Sequence, residues 1–154
     1  MERWQRLTIA TLVVLLIAGL VLVRLMLDLS DLRRQTNTQR LIERVARQVE
    51  MYRSARGFLP SSLEDLMLEL PPEFTNSEGE ALDGWGNPLY YTREASGRRE
   101  QYVIASPGRD GNFDEPPDRY AERRSFSSNR GRPDRDTVLV GGRVVQGPVE
   151  EARK

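Results

Sequence analysis

Hydrophobic and polar positions divide the chain into an apolar beginning, a helical stripe and a strand-rich remainder. Residues 7–23 form an apolar run between Arg6 and Arg24, interrupted only by two threonines and a glycine. As a helix this run spans ~25 Å at about 1.5 Å per residue, close to the ~30 Å hydrocarbon core of a bilayer. Residues 25–29 lengthen it if Arg24 snorkels to the headgroups. The pattern predicts a membrane anchor over residues 1–30.

A cleaved signal peptide is the alternative interpretation of this run, because charged residues also precede the apolar segment of a signal peptide. No small-x-small cleavage site follows residue 23, and the helical pattern continues beyond it. We therefore predict an uncleaved, single-pass anchor.

The anchor is predicted to continue into an amphipathic helix over residues 31–56. Residues 33–40 are wholly polar, which predicts a solvated neck or a place where the helix melts. Apolar residues then return with helical spacing at Leu41, Ile42, Val45, Ala46, Val49 and Tyr52. We expect one helix from near residue 4 to Ala55, with Gly57 as its C-terminal stop.

Residues 57–148 carry the turn signals and short strand-like runs of a small α+β domain. Ser61 and Glu64 have the spacing of a capping box, which predicts a short helix over residues 62–70. Residues 112–136 are poor in apolar side chains and are predicted to be a long solvated loop. The charged tail, residues 149–154, is predicted to be frayed.

Four runs of β-branched and aromatic residues predict strands, and the last two flank Gly141-Gly142, a hairpin signal. The runs are residues 89–92, 102–105, 137–140 and 143–146. We expect the core to combine one face of the helix with Trp85, Leu89, Tyr91 and Ile104, capped by Leu66.

Composition removes several classes of chemistry from the 154-residue chain. It has no cysteine and no histidine, so a disulfide framework, a thiolate nucleophile and the commonest general base are excluded. No carboxylate pair has a positioned partner, and we expect no enzymatic activity and no small-molecule substrate. The net charge is zero, and acids interleave with the arginines of the 112–136 loop, so we expect no nucleic-acid partner.

The narrowest signature in the sequence is a tryptophan turn followed by a hairpin and an acidic loop. Glycines on both sides of Trp85 allow positive φ, and the side chains of Asp83 and Asn87 bond to their own backbone in turns. The two motifs read Asp-Gly-Trp-Gly-Asn-Pro-Leu-Tyr-Tyr over residues 83–91 and Ser-Pro-Gly-Arg-Asp-Gly over residues 106–111.

These motifs resemble the C-terminal domain of the major (G-type) pseudopilin of type II secretion, in the type IV pilin-like superfamily. Upstream, Tyr52 to Gly57 and the Leu-Pro-Ser-Ser-Leu run over residues 59–63, with Leu66, match the family's tyrosine, glycine, proline and short helix. The likeness covers about residues 52–111. It implies an α+β fold in which a long N-terminal helix, transmembrane in its first half, packs on a small antiparallel β-sheet.

The resemblance also implies a function, a location and partners. The chain is expected to be a structural pseudopilin-like subunit of a bacterial type II secretion or type IV pilus-like machine. It would sit in the inner membrane with its C-terminal domain in the periplasm or otherwise outside the cytoplasm. Other pseudopilin or secretion-system subunits and the lipid bilayer are its expected partners. Two alternatives stay open: a bitopic scaffold that acts through its helix, and a membrane-anchored calcium-binding module.

An oxygen-rich cluster is the candidate metal site. Calcium takes six to eight oxygen ligands, and carboxylates and amides supply them. An EF-hand is excluded, because Gly111 is misplaced for that motif and no glutamate closes the loop. From the residues alone, a solvated acidic turn is an equal alternative. The cluster comprises Asp110, Asn112, Asp114, Asp134 and Asp136.

The resemblance implies one structural calcium in the loop after the second strand. Asp110 matches the aspartate of the family's motif, and Asp134 and Asp136 stand where later acids of that loop precede the next strand. The loop between them departs from the family in length and arginine content.

The N-terminus departs from the family at its functional positions. Prepilins carry a glycine before the cleavage site, then an aromatic residue and, four residues later, a glutamate. Here Arg6, Leu7 and Thr11 stand at those three positions. We predict a chain that is not processed, or not polymerised as the major subunit.

Overall fold

A computed structural model of the protein describes residues 2–66, 70–96, 99–122 and 125–148. The chain forms two compact units, Met1–Asp31 and Leu32–Lys154. Its long helix is α1 (Glu2–Arg56), and short 3-10 turns follow at Glu64–Leu66, Pro72–Phe74 and Pro117–Glu122. The strands are β1 (Tyr90–Ser96), β2 (Arg99–Ser106), β3 (Ser127–Ser128), β4 (Thr137–Val140) and β5 (Arg143–Gly147).

The first unit is an apolar helical segment with outward-facing side chains. Large apolar residues from Leu12 to Leu29 are between 48% and 65% exposed. An 18-residue window of this segment reaches a mean hydropathy of 2.6, and none of the window is buried. A helix that is apolar all round and unburied within its own chain matches a bilayer as solvent. Within the described residues, the protein has one helix long and apolar enough to span a membrane.

In the second unit, α1 presents the predicted apolar stripe to the core. Leu41, Ile42, Val45 and Val49 are at most 4% exposed. The helix ends where predicted, because Gly57 takes a φ of 82° and its backbone N–H donates to the Arg53 carbonyl oxygen at 2.8 Å.

The prediction of a solvated or melted neck over residues 33–40 is wrong. The segment is helical, and Gln35 and Thr38 are fully buried. Gln35 Nε2 donates to the Asn129 carbonyl oxygen at 3.0 Å, and Thr38 Oγ1 accepts from the Gly84 backbone N–H at 2.8 Å. These polar side chains are buried because they satisfy loop backbone groups, a role that a hydropathy pattern does not reveal.

The sheet has the strand order β1-β2-β4-β5-β3. The four longer strands pair antiparallel, and the two-residue β3 adds a parallel edge to β5 that the sequence did not predict. The hairpin between β4 and β5 is confirmed, with positive φ at both Gly141 and Gly142 as a type I′ turn requires. The α+β fold, with a long helix packed on a small sheet, is confirmed.

Alternating residues of the strands build a core on each face of the sheet. One face packs on α1 through Tyr102, Ile104, Leu139 and Val144. The other face packs under the 3-10 turn at Pro117–Glu122 through Val103, Ala105, Val138, Val140 and Val145, with Tyr120 fully buried among them. The prediction of a purely solvated loop over residues 112–136 is therefore wrong, because this loop is the second cover of the sheet.

The predicted core is partly correct. Ile104 is buried, and Leu66, Leu89 and Tyr91 pack half-buried against the helix-facing cluster. Trp85, however, is half-buried and lies outside both clusters. A Cβ on the neighbouring Gly84 would lie 2.8 Å from the Arg34 carbonyl oxygen, so the backbone of this turn comes too close to the helix for a side chain at residue 84.

Of the predicted short helix over residues 62–70, the structure describes a 3-10 turn at Glu64–Leu66, and residues 67–69 lie outside the described part. The cap also differs from the predicted capping box. Asp65 Oδ2 accepts from the backbone N–H groups of Ser61 and Ser62 at 2.7 and 3.2 Å. The carboxylate that satisfies these free N–H groups therefore belongs to Asp65 and not to Glu64.

Candidate cation-binding loop

Asp83 fixes the tryptophan turn against the start of the loop that follows β2. It is 1% exposed, and its Oδ1 accepts from the backbone N–H groups of Trp85 and Asn87, both at 2.9 Å. Its Oδ2 accepts from the Ser106 hydroxyl at 2.7 Å. Asn87 Nδ2 donates to the Gly108 carbonyl oxygen at 2.7 Å. The turn is therefore a scaffold that positions the loop beginning after Ser106.

Asp136 lies at the other end of that loop, directly before β4, and is fully buried. Its Oδ2 accepts from the Asp114 backbone N–H at 3.0 Å and from the Tyr120 hydroxyl. Its Oδ1 is buried without a hydrogen-bond partner. An unpartnered carboxylate oxygen in the protein interior is costly unless a proton or a cation meets it.

The surroundings of Asp136 disfavour its ionised form. Burial raises the pKa of its carboxyl group from 3.8 to about 7, and the negative charges of Asp114, Asp110 and Glu115 add to that rise. The hydrogen bond from the Asp114 backbone opposes it. Acidic groups thus surround the carboxylate of Asp136, whose hydrogen bonding is incomplete. Glu115 is one of these acidic groups, and the sequence analysis did not include it in the candidate metal site.

Asp114 is the predicted ligand in direct contact with Asp136, because its Oδ2 lies 3.4 Å from the Asp136 backbone nitrogen. Its Oδ1 lies 3.0 Å from Arg135 Nη1 in a partly exposed ion pair. Gln146 Nε2 lies 3.5 Å from Asp114 Oδ2 and donates to the Asp136 carbonyl oxygen at 2.9 Å. A cation at this point would compete with Arg135 for the Asp114 carboxylate.

The remaining predicted ligands make other contacts. Asp110 Oδ1 accepts from the Asn112 backbone N–H at 3.0 Å, and Asn112 Nδ2 donates to the Asp110 carbonyl oxygen at 2.9 Å. Asp134 forms a two-bond ion pair with Arg109, at 2.7 and 3.0 Å, on the surface. Among the described residues, no group of three or more acidic side chains is arranged to hold a metal ion.

The donor set nevertheless fits a hard cation in its chemistry. Every candidate ligand atom is an oxygen, as calcium prefers, and the Asp136 Oδ1 is the one buried carboxylate oxygen left unpartnered in the described loop. Asp114 and Asp136 would hold the ion, and Asp110 is close enough to act electrostatically on Asp136. The ion would supply the positive charge that the buried carboxylate lacks.

Asn129 closes the loop against the rest of the unit, and the sequence analysis missed it. Its Nδ2 donates to the Asp136 carbonyl oxygen at 2.6 Å, and its backbone N–H donates to the Gly147 carbonyl oxygen at 3.1 Å. Its own carbonyl oxygen accepts from Gln35 of α1. The signal available in the sequence is Asn129 two residues before Gly131, whose φ of 72° marks a turn.

Comparisons with protein-family models, with curated proteins and with solved structures find no match to this chain. The pseudopilin resemblance therefore rests on the two motifs and the upstream residues quoted from the sequence.

Proposed function

We propose that this protein is a structural, pseudopilin-like subunit of a bacterial envelope machine of the type II secretion or type IV pilus kind. The observation that carries the proposal is helix α1 itself. Its first part is apolar and outward-facing, and its second part packs residues 41–49 on a small sheet. A helix of this kind suits a subunit that is anchored in a bilayer and presents a folded domain beside it.

In this proposal the anchor crosses the bacterial inner membrane and the α+β domain lies in the periplasm or otherwise outside the cytoplasm. The partners are other pseudopilin or secretion-system subunits. Arg6 and Thr11 stand where prepilins carry a glycine and a glutamate, so we propose a subunit that keeps its N-terminus.

Calcium is proposed as a structural ion of the loop. The loop packs Tyr120 under the second face of the sheet, and Tyr120 donates to the carboxylate of Asp136. Neutralising that carboxylate would stabilise the cover of the sheet, because a ligand that binds the folded state alone shifts folding by mass action.

A membrane-anchored calcium-binding module is the second candidate, and the unpartnered Asp136 Oδ1 is the observation that favours it. A scaffold that acts through its helix is less well supported. The apolar stripe that a coiled-coil partner would need is already packed on the protein's own sheet.

The test of the proposed function is deletion of the gene in its native host, followed by quantitative proteomics of the culture medium. We expect a defined set of proteins to disappear from the medium and to return when the full chain is supplied. The control is a chain that carries Arg143→Ala, an exposed position on β5. Supplying this chain should restore secretion as the wild-type chain does. An unchanged set of secreted proteins would remove the proposed role.

Processing is tested separately by the intact mass of the protein extracted from membranes. The proposal predicts the mass of the chain with its N-terminus retained. A mass that corresponds to a chain beginning at Leu7 would contradict it, since that product requires cleavage after Arg6.

A further inference from the structure

Charge is segregated along the second unit although the net charge of the chain is zero. Residues 33–56 contain seven arginines and two glutamates. Residues 57–83 contain seven acidic residues and no basic one. This opposite charge on consecutive segments leaves two complementary surfaces on one protein.

The first surface is a row of exposed arginines on α1, here called the arginine stripe. Spacings of seven, four and three residues place its members on one side of the helix, opposite the buried apolar stripe. None of them forms an ion pair with a described residue. The stripe comprises Arg33, Arg40, Arg44 and Arg47.

The second surface is a groove of about 460 Å³ beside β1, here called the acidic groove. Its lining is apolar at Leu63, Ala81, Leu89 and Tyr91. Its carboxylates are Glu64, Glu78 and Glu80, which are exposed and form no ion pair with described residues.

The acidic groove has the chemistry that recognises arginine. An arginine side chain packs its aliphatic stem on apolar surface while its guanidinium meets carboxylates at the rim. Asn76 Nδ2 donates to Glu80 Oε2 at 2.6 Å, so one rim carboxylate is already oriented. The occupant of such a groove is therefore a segment rich in arginine.

We propose that the arginine stripe of one copy of this protein docks in the acidic groove of a second copy. Stripe and groove belong to the same unit, yet no ion pair joins them, which leaves both surfaces for another copy. Glu73 shares a cleft with Arg40 and Arg44 without an ion pair to either, so one acidic side chain of the same copy lies beside the stripe.

The contact deepens the proposed function, on which it rests, by naming the partner and its surfaces. When each copy uses its stripe on one neighbour and its groove on another, the contact is head-to-tail, because the stripe of the second copy and the groove of the first stay free for further copies. Such a heterologous contact builds an open filament or a ring. A single exposed ion pair is weak, and copies anchored in one bilayer gain from their raised local concentration.

Cysteine crosslinking of the full chain in membranes tests the contact without background, because the protein has no cysteine. Two differently tagged copies, one with Arg44→Cys and one with Glu80→Cys, are expressed together and oxidised. We expect a disulfide-linked pair carrying both tags, at about tenfold the yield of the control, as several exposed ion pairs together would give. The control combines Glu80→Cys with Arg143→Cys, which is exposed and outside both surfaces.

Charge reversal then tests the chemistry of the contact. Arg47→Glu, added to the copy that carries Arg44→Cys, should lower the crosslink yield toward the control. Glu78→Arg in the other copy should restore it. Yields equal to the control, or yields that ignore both reversals, would overturn the proposal. If crosslink yields stay at the control level and the stripe binds anionic vesicles in a salt-sensitive way, the proposal is overturned, and the partner of the stripe is a lipid surface.

The two proposals fail in distinguishable ways. Unchanged secretion after gene deletion would remove the envelope-machine role and leave a positive crosslink standing. Control-level crosslinks in a host whose secretion depends on the protein would remove the stripe–groove contact alone.

Discussion

Two buried aspartates, at opposite ends of the site, differ in how completely their carboxylates are bonded. All the partners of Asp83 are supplied by the protein, since its two oxygens accept from Trp85, Asn87 and Ser106. Asp136 is equally buried, but only its Oδ2 is bonded and its Oδ1 has no partner. Burial alone therefore does not separate a structural carboxylate from a candidate ligand; completeness of hydrogen bonding does.

The difference follows from where the donors come from. Asp83 receives backbone donors two and four residues ahead, within the turn that its own sequence forms. Asp136 receives the backbone N–H of Asp114, 22 residues back, and the hydroxyl of Tyr120. Within its own turn Asp83 Oδ1 finds both of its donors, and the Ser106 hydroxyl at the end of β2 reaches Oδ2, whereas the long loop leaves Asp136 Oδ1 without any donor.

The largest expected effect is the loss of Asp83. Asp83→Ala should lower the free energy of unfolding of a fragment of residues 32–154 by about 3–5 kcal/mol, because several buried donors lose their acceptor. Urea denaturation measures this change. The fragment begins before Gln35 because that side chain bonds to the loop. Asp134→Ala, on the surface, is the control expected to change little; an Asp83→Ala loss no larger than the control's would show that the turn is not a scaffold.

Calcium should have the next largest effect on stability. Of the two buried aspartates, Asp83 and Asp136, only Asp136 should bind it. At a hundredfold excess over its dissociation constant, calcium should stabilise the fragment by about 2.7 kcal/mol. Asp136→Asn should remove this gain while keeping the shape of the side chain. Magnesium should substitute poorly, because it requires a tight octahedral shell and loses water reluctantly. Equal melting temperatures in calcium and in chelator would reject the site.

Without calcium, the stability of the fragment should fall as the pH rises from about 4 to about 7. Because the folded state raises the pKa of Asp136 from 3.8 to about 7, the folded protein binds more protons than the unfolded chain in this window. The fall should be at least about 1.4 kcal/mol, the free energy of a tenfold change in proton affinity. Denaturation at several pH values measures it, and Asp136→Asn should flatten the slope. The same slope in both proteins would assign it to other groups.

The smallest effect is expected at the exposed pair of Arg109 and Asp134. Arg109→Ala should cost less than about 1 kcal/mol, because both side chains are about half exposed and solvent screens the pair. A loss of stability comparable to that of Asp83→Ala would mean that Asp134 helps to hold the loop. It would also support Asp134 as a ligand of the predicted metal site.

Much of the fold could be predicted from the sequence because local periodicity determines it. The apolar stripe from Leu41 to Val49, the Gly57 stop and the Gly141-Gly142 hairpin each carry their own signal. The buried Gln35 and Thr38 could not be predicted, since their partners are loop backbone groups near residues 84 and 129. A polar residue on a helix gives no sign of such a distant acceptor or donor.

The candidate site could be predicted only as a set of oxygen-bearing residues. Sequence spacing placed Asp110 and Asp136 near the two ends of one loop, and the structure brings Asp136 together with Asp114. It could not show that Asp134 pairs with Arg109 or that Tyr120 donates to Asp136. Those pairings depend on how 25 intervening residues fold between Asp110 and Asp136, which no local rule fixes.

Proton release on calcium binding tests most directly whether the Asp136 carboxylate is the open position of the site. Calorimetric titration of the 32–154 fragment, in buffers of different ionisation enthalpy, counts the protons released. With a pKa of about 7, we predict about one proton at about pH 6 and about a tenth of a proton at about pH 8. Asp136→Asn should release none at either pH. Calcium binding with equal proton release in both proteins, or no binding heat at all, would contradict the account.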